Sequence, residues 1–168
     1  MSYGAAKGMW KALLHPTLEP KQVRRGGQPH RPPEELMGFL KPHAERIYAL
    51  LRIMTGFMFT LHGLQKIFGL FGGVPPGAPP FIVYGAGLIE LVGGVLVLLG
   101  HFAAPAAFIS SGTMAVAYFI GHVFSAGNIL PIVNQGELAA LYCFVFLYIA
   151  VHGSGIWSVD AVRRGTKS

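Results

Sequence analysis

Glu90 is the only charged residue in the run from Phe81 to Leu99, which is otherwise built of Phe, Ile, Val, Leu, Tyr, Ala and Gly. Placing a carboxylate at bilayer depth costs roughly 3 kcal/mol, so such a residue is a candidate for proton chemistry. The positions three and four away from it are Ala86, Gly87, Gly93 and Gly94. Small residues there let helices approach closely and direct Glu90 to a bundle interior. Arg52, Thr55, Phe59, His62 and Lys66 repeat at intervals of 3, 4, 3 and 4, which puts them on one helix face. Ser111, Ala115, Tyr118, His122 and Ser125 form a second stripe of the same kind.

Helical side chains lean toward the N-terminus of their helix, so Glu90, on a descending helix, leans toward the level of His62. His62 is therefore the expected partner of Glu90. Imidazole exchanges protons near neutral pH, which makes Glu90 and His62 the candidate catalytic pair. Arg52 is a second choice, a structural ion pair with Glu90 across an axial offset of roughly 10 Å. Gln65, Lys66, Tyr118, His122, Asn134 and Glu137 gather at the same end and are candidate ligand-binding residues. Quinone oxygens could be held there by Lys66 and His122, with Lys66 as an interfacial anchor the plainer alternative. A haem between His62 and His122 conflicts with the tight packing that the Gly-rich run predicts. Glu90 as a mere interhelical hydrogen-bonder remains open. Cys143 is the single cysteine, which excludes an internal disulfide, a CxxC redox pair and a cysteine-held metal site; no metal is expected.

The elements that must position these groups are membrane helices. The chain of 168 residues is 52% hydrophobic and 12% charged, with a mean hydropathy of +0.51, too apolar for a soluble domain. Four apolar stretches, 46–68, 81–99, 103–124 and 138–157, approach the ~20 residues a spanning helix needs. The fourth is the shortest, its unbroken run covering only Leu138–Val151. Eleven of the thirteen Lys and Arg flank these stretches, and neither intervening loop 69–80 nor loop 125–136 carries one. Both termini are thus expected on the cytoplasmic side, with the fourth segment crossing and Trp157 at the interface. Short connections predict an all-α, antiparallel four-helix integral membrane bundle.

Residues 1–44 form a basic, Pro-rich extension with little core-forming content, expected to be largely irregular and to lack a signal peptide's apolar core. Residues 45–160 make the bundle and 161–168 a basic cytoplasmic tail. Trp10, Arg24 and Arg25 are the expected docking residues of the extension, toward a larger membrane complex. The Trp10 stretch also suits a short helix on the membrane surface. The basic charge is read as topology, with no nucleic-acid partner.

The runs LLRIMTGFMFTLHGLQKIFG, GLIELVGGVLVLLG, NQGELAALY and HGSGIWSVDA, in that order, resemble the DoxX family of four-helix bacterial and archaeal membrane proteins. The matching positions are Arg52, Gly63, Lys66, Glu90, Gly93, Gly94, Gly136, Glu137, Gly155, Ser158 and Asp160. The resemblance implies a subunit of a bacterial or archaeal cytoplasmic membrane, in settings that include quinone-linked oxidation of sulfur compounds. The basic extension and His62 depart from the family pattern. The expected function is an accessory subunit of a larger respiratory or photosynthetic complex. The alternatives are a quinone-reactive subunit using Glu90 and His62, and, last, a proton or small-solute transporter.

Overall fold

The computed structural model describes residues 38–74, 77 and 79–165. Trp10, Arg24 and Arg25, and with them the docking expectation, lie outside the described residues. A 3-10 turn, Gly38–His43, leads into α1 (Ala44–Phe68). It is followed by α2 (Pro80–Leu99), α3 (Ala103–Val116), the short α4 (Pro131–Asn134), α5 (Glu137–His152) and the short α6 (Val159–Arg163). Helix α3 continues without a break into a π-helical segment, Ala117–Phe124. Among the described residues there is no strand, and the all-α membrane bundle expected from the sequence is the fold observed.

Among the described residues, three helices are long and apolar enough to cross a membrane: α1 with its leading turn, α2, and α3 with its π extension. Helix α5 is 16 residues long, about 24 Å at 1.5 Å per residue, and stops at Gly153 before the expected end at Trp157. The end of the bundle that carries Ala44 and Arg163 is called proximal below, and the opposite end distal.

Glycines decide the tightest seam. Gly56 and Gly63 on α1 and Gly87 and Gly94 on α2 are each seven residues apart. A Cβ on Gly94 would lie 2.6 Å from Thr60 N, and one on Gly63 2.6 Å from Leu91 Cα, so the two backbones are in direct contact. Accordingly, α1 packs most extensively on α2 and α3 on α5, whereas α1 and α5 touch only sparsely. Phe59, Val97, Phe146 and Ile149 fill the middle of the bundle, with Ala49, Ala103 and Ala107 buried toward the proximal end.

Candidate functional site

Helix α2 brings Glu90 into the bundle, where it is 1% exposed. Its partner is Lys66, not His62: Lys66 Nζ and Glu90 Oε1 form an ion pair. The reason lies in reach and clearance. Lys66 is one turn beyond His62 on the same stripe, and its long chain leans back along α1 as Glu90 leans outward from α2. Gly87 makes room for the stem, since a Cβ there would come within 2.8 Å of Lys66 Cβ. The Lys66 side chain remains 24% exposed, so the pair links a buried carboxylate to the distal surface.

Arg52 does not pair with Glu90 either. Its guanidinium is fully buried at the proximal end, where Nη1 donates to the carbonyls of Val97 (2.7 Å) and Leu98 (2.8 Å). Nη2 donates to Trp157 (2.7 Å) and Ile156 (3.3 Å). The carbonyls at the end of α2 carry the negative pole of the helix, so a cation is well placed there. This is a cation–carbonyl clamp, which the ion-pair expectation for Arg52 missed because backbone acceptors leave no mark in the sequence.

A cavity of about 220 Å³ lies beside the Lys66–Glu90 pair. Helix α1 contributes Phe59, His62 and Lys66, α2 Glu90, α3 and its π extension Met114, Ala117 and His122, and the α5 side Gln135, Leu138, Ala139 and Tyr142. The cavity falls where α1 and α5, the sparsest neighbours, face each other. Its walls are mainly apolar and aromatic; the His62 ring stands edge-on to Tyr142, with centroids 6.2 Å apart. Two buried polar atoms on these walls have no hydrogen-bond partner, Glu90 Oε2 and Tyr142 Oη.

The remaining candidates fall elsewhere. Gln65 donates to the Gly73 carbonyl (2.9 Å) and tethers the segment after α1. Tyr118 donates to the Ile129 carbonyl, and Asn134 is buried in bonds within its own loop. Glu137 is exposed at the start of α5. His122 lines the cavity, but its Nδ1 lies 3.1 Å from the Asn134 carbonyl. The expected convergence of eight polar groups thus reduces to Glu90, Lys66, His62 and His122. Tyr142 was missed, although the buried series Ala139, Tyr142, Phe146, Ile149 at intervals of 3, 4 and 3 marks it as inward-facing.

A family model described as DoxX matches residues 47–123. An uncharacterized protein of Haemophilus influenzae is 42% identical over 129 residues, covering 74% of this chain and 96% of that protein. The chain belongs to the DoxX family. A second relative, from Bacillus subtilis and named "Putative oxidoreductase CatD", is 32% identical over 126 residues, 71% of this chain and 89% of the relative. No solved structure matches the chain.

The DoxX-like positions fall into groups in space. Gly63 and Gly94 lie in the α1–α2 seam, and Lys66 and Glu90 are the buried pair. Arg52, Gly155, Ser158 and Asp160 close the proximal end. Asp160 accepts from Ser154 Oγ (2.7 Å) and from the Phe102 N–H (3.0 Å) at the start of α3, and its Oδ1 lies 3.2 Å from His101 Nδ1. The Ser154 hydrogen bond, aided by those from His101 and Phe102, holds the Asp160 carboxyl below the usual range, against a smaller opposing effect of burial. Tyr48 donates to the Gly153 carbonyl, and its ring packs where a Cβ on Gly155 would fall.

Proposed function

We propose that this DoxX-family membrane protein is a quinol-reactive subunit of a membrane redox complex, with the cavity beside Lys66–Glu90 receiving the ring. The observation that carries this reading is the pair of buried atoms left without a partner among the described residues, Glu90 Oε2 and Tyr142 Oη, on the walls of a cavity that also holds the apolar Phe59, Met114, Ala117 and Leu138. A buried polar atom without a partner is costly, so a ligand hydroxyl that donates to the carboxylate and accepts from the phenol suits the site. Phe59, Met114 and Leu138 supply the apolar surface a ring needs. The oxidoreductase in the name of the Bacillus subtilis relative points the same way.

In the forward direction, oxidation of one quinol releases two protons and two electrons. Glu90 Oε2 takes the proton of one ring hydroxyl and His62, on the same cavity wall, that of the other, while Lys66, partly exposed, stabilises the carboxylate between turnovers and connects it to the distal surface. The electrons leave to an acceptor on a partner subunit, of the flavin or iron–sulfur class. Glu90→Gln tests the scheme in native membranes: general-base loss predicts a fall of about 10²-fold or more in quinol-dependent turnover with the complex still assembled. Unchanged turnover refutes it.

The second reading is an accessory subunit without chemistry, favoured by the basic, Pro-rich extension. It predicts that deleting residues 1–42 releases the bundle from its complex, as read by co-purification.

A further inference from the structure

Residues 128–134, between the π-helical extension and α5, have their polarity inside out, while the flanking Ser125 and Gln135 are exposed. The polar groups of this stretch bond to one another. Asn128 Oδ1 accepts from the Leu130 N–H (2.8 Å), Asn134 Nδ2 donates to the Asn128 carbonyl (2.9 Å), and Asn134 Oδ1 accepts from the Gly136 N–H (2.8 Å). The Leu130 carbonyl accepts from the Val133 and Asn134 N–H groups, both at 3.0 Å. Tyr118 donates to the Ile129 carbonyl, and His122 Nδ1 meets the Asn134 carbonyl. Outward, by contrast, the segment presents Ile129, Leu130, Ile132 and Val133, which are 55–76% exposed. No Asp, Glu, Lys or Arg lies between Glu90 and Glu137.

A connection in water leaves backbone groups to the solvent and turns polar side chains outward. Backbone at membrane depth must satisfy its polar groups internally, and the carbonyls of Asn128, Ile129, Leu130, Pro131 and Asn134 each find a partner within the bundle. Length leads to the same place. Helix α5 spans about 24 Å against a hydrocarbon core of about 30 Å. Both of its ends carry charge, the exposed Glu137 at the distal start and Asp160, Arg163 and Arg164 beyond the proximal end, so the segment that leads into Glu137 lies at the boundary of the hydrocarbon. Phe124 at the end of the π-helical extension and Leu141 on α5 are exposed apolar side chains as well.

We propose that residues 128–134 form a lipid-embedded cap at the distal end of the bundle, next to the cavity wall that His122 and Gln135 line, with Ile129, Leu130, Ile132 and Val133 seated in the bilayer at the boundary of acyl chains and headgroups. His122 and Tyr118 are then cap anchors that keep loop carbonyls satisfied at that depth. Taken with the proposed function, on which this last consequence alone rests, the ligand reaches the cavity from the lipid phase.

The test is collision accessibility of a nitroxide at Ile132→Cys and, separately, at Val133→Cys. It is made in the full chain carrying Cys143→Ser and reconstituted into phosphatidylcholine vesicles. Both positions are exposed, so the label replaces no packed group. The expected result is strong collision with molecular oxygen and weak collision with a water-soluble nickel chelate, in the ratio found at Leu141→Cys on the lipid face. Dominant nickel collision would place the cap in water and overturn the proposal. Exclusion of both reagents would mean that a second copy covers it, and would overturn it equally. The readout needs neither ligand nor turnover, so its failure is separate from failure of the quinol reading.

Discussion

Replacing Arg52 by Met keeps the length of the stem and removes the donors that join α1 to the end of α2 and to the Gly153–Ser158 segment. Three of the four bonds are at 2.7–2.8 Å, and the carbonyls of Val97, Leu98 and Trp157 would each lose a donor. Hydrogen bonds to charged groups contribute about 1.5 kcal/mol or more each, whereas interhelical bonds in a membrane average about 0.6 kcal/mol. Three such bonds therefore place the loss between about 2 and 5 kcal/mol. Arg52→Lys should fall between wild type and Arg52→Met, because a single ammonium cannot fork across two separate strands of backbone as the planar guanidinium does. Reversible unfolding in mixed micelles, followed by helicity and, in a Trp10→Phe background, by the fluorescence of Trp157, measures both the total and its proximal origin. A loss under about 0.5 kcal/mol for Arg52→Met, the range of ordinary surface substitutions, would refute the clamp as a stabilising element.

Gly63→Ala should cost about 1–3 kcal/mol by forcing α1 from α2, because its Cβ would fall 2.6 Å from Leu91 Cα. Gly112→Ala, with nothing within 4 Å of its Cβ, should be neutral or stabilising, and equal losses at both positions in the same unfolding assay would contradict the seam. Asp160 carries the acid sensitivity of the proximal closure. Its folded-state pKa is lowered, so its contribution is complete above the unfolded value of about 3.9 and is lost as pH falls through the lower folded value. Thermal unfolding followed downward from pH 5 should therefore show an acid-dependent decline that Asp160→Asn largely removes, and an identical slope in the variant would assign the acid effect to other groups.

What the sequence made legible followed period and type. The apolar runs, the small residues around Glu90 and the stripe from Arg52 to Lys66 are statements about helix faces, and the faces are where the structure has them. The partners across those faces were less legible, because they depend on reach and clearance. Glu90 meets Lys66 rather than His62 only because Gly87 lets the lysine stem lie against α2, a relation between two helices that spacing within either one does not contain. Arg52 was misread for a related reason: its acceptors are main-chain carbonyls, which every residue has and no residue type signals.

The loop between α3 and α5 illustrates the same limit in its strongest form. Asn134, Tyr118 and His122 look like a ligand's polar contacts when read by type, since nothing local separates a group aimed at a cavity from one aimed at its own backbone. Their geometry spends the donors of Tyr118 and Asn134 on the loop and brings His122 Nδ1 to the Asn134 carbonyl. Glu90 Oε2 and Tyr142 Oη are left as the buried polar atoms on the cavity wall without a partner. The chemistry assigned to the site therefore narrows from eight converging polar groups to one carboxylate and one phenol without partners, beside Lys66, His62 and His122. Phe59, Met114, Ala117 and Leu138 on the same walls suit a ligand whose bulk is apolar, and the two unpartnered atoms suit recognition through a hydroxyl, which is how the proposed quinol chemistry fits these residues.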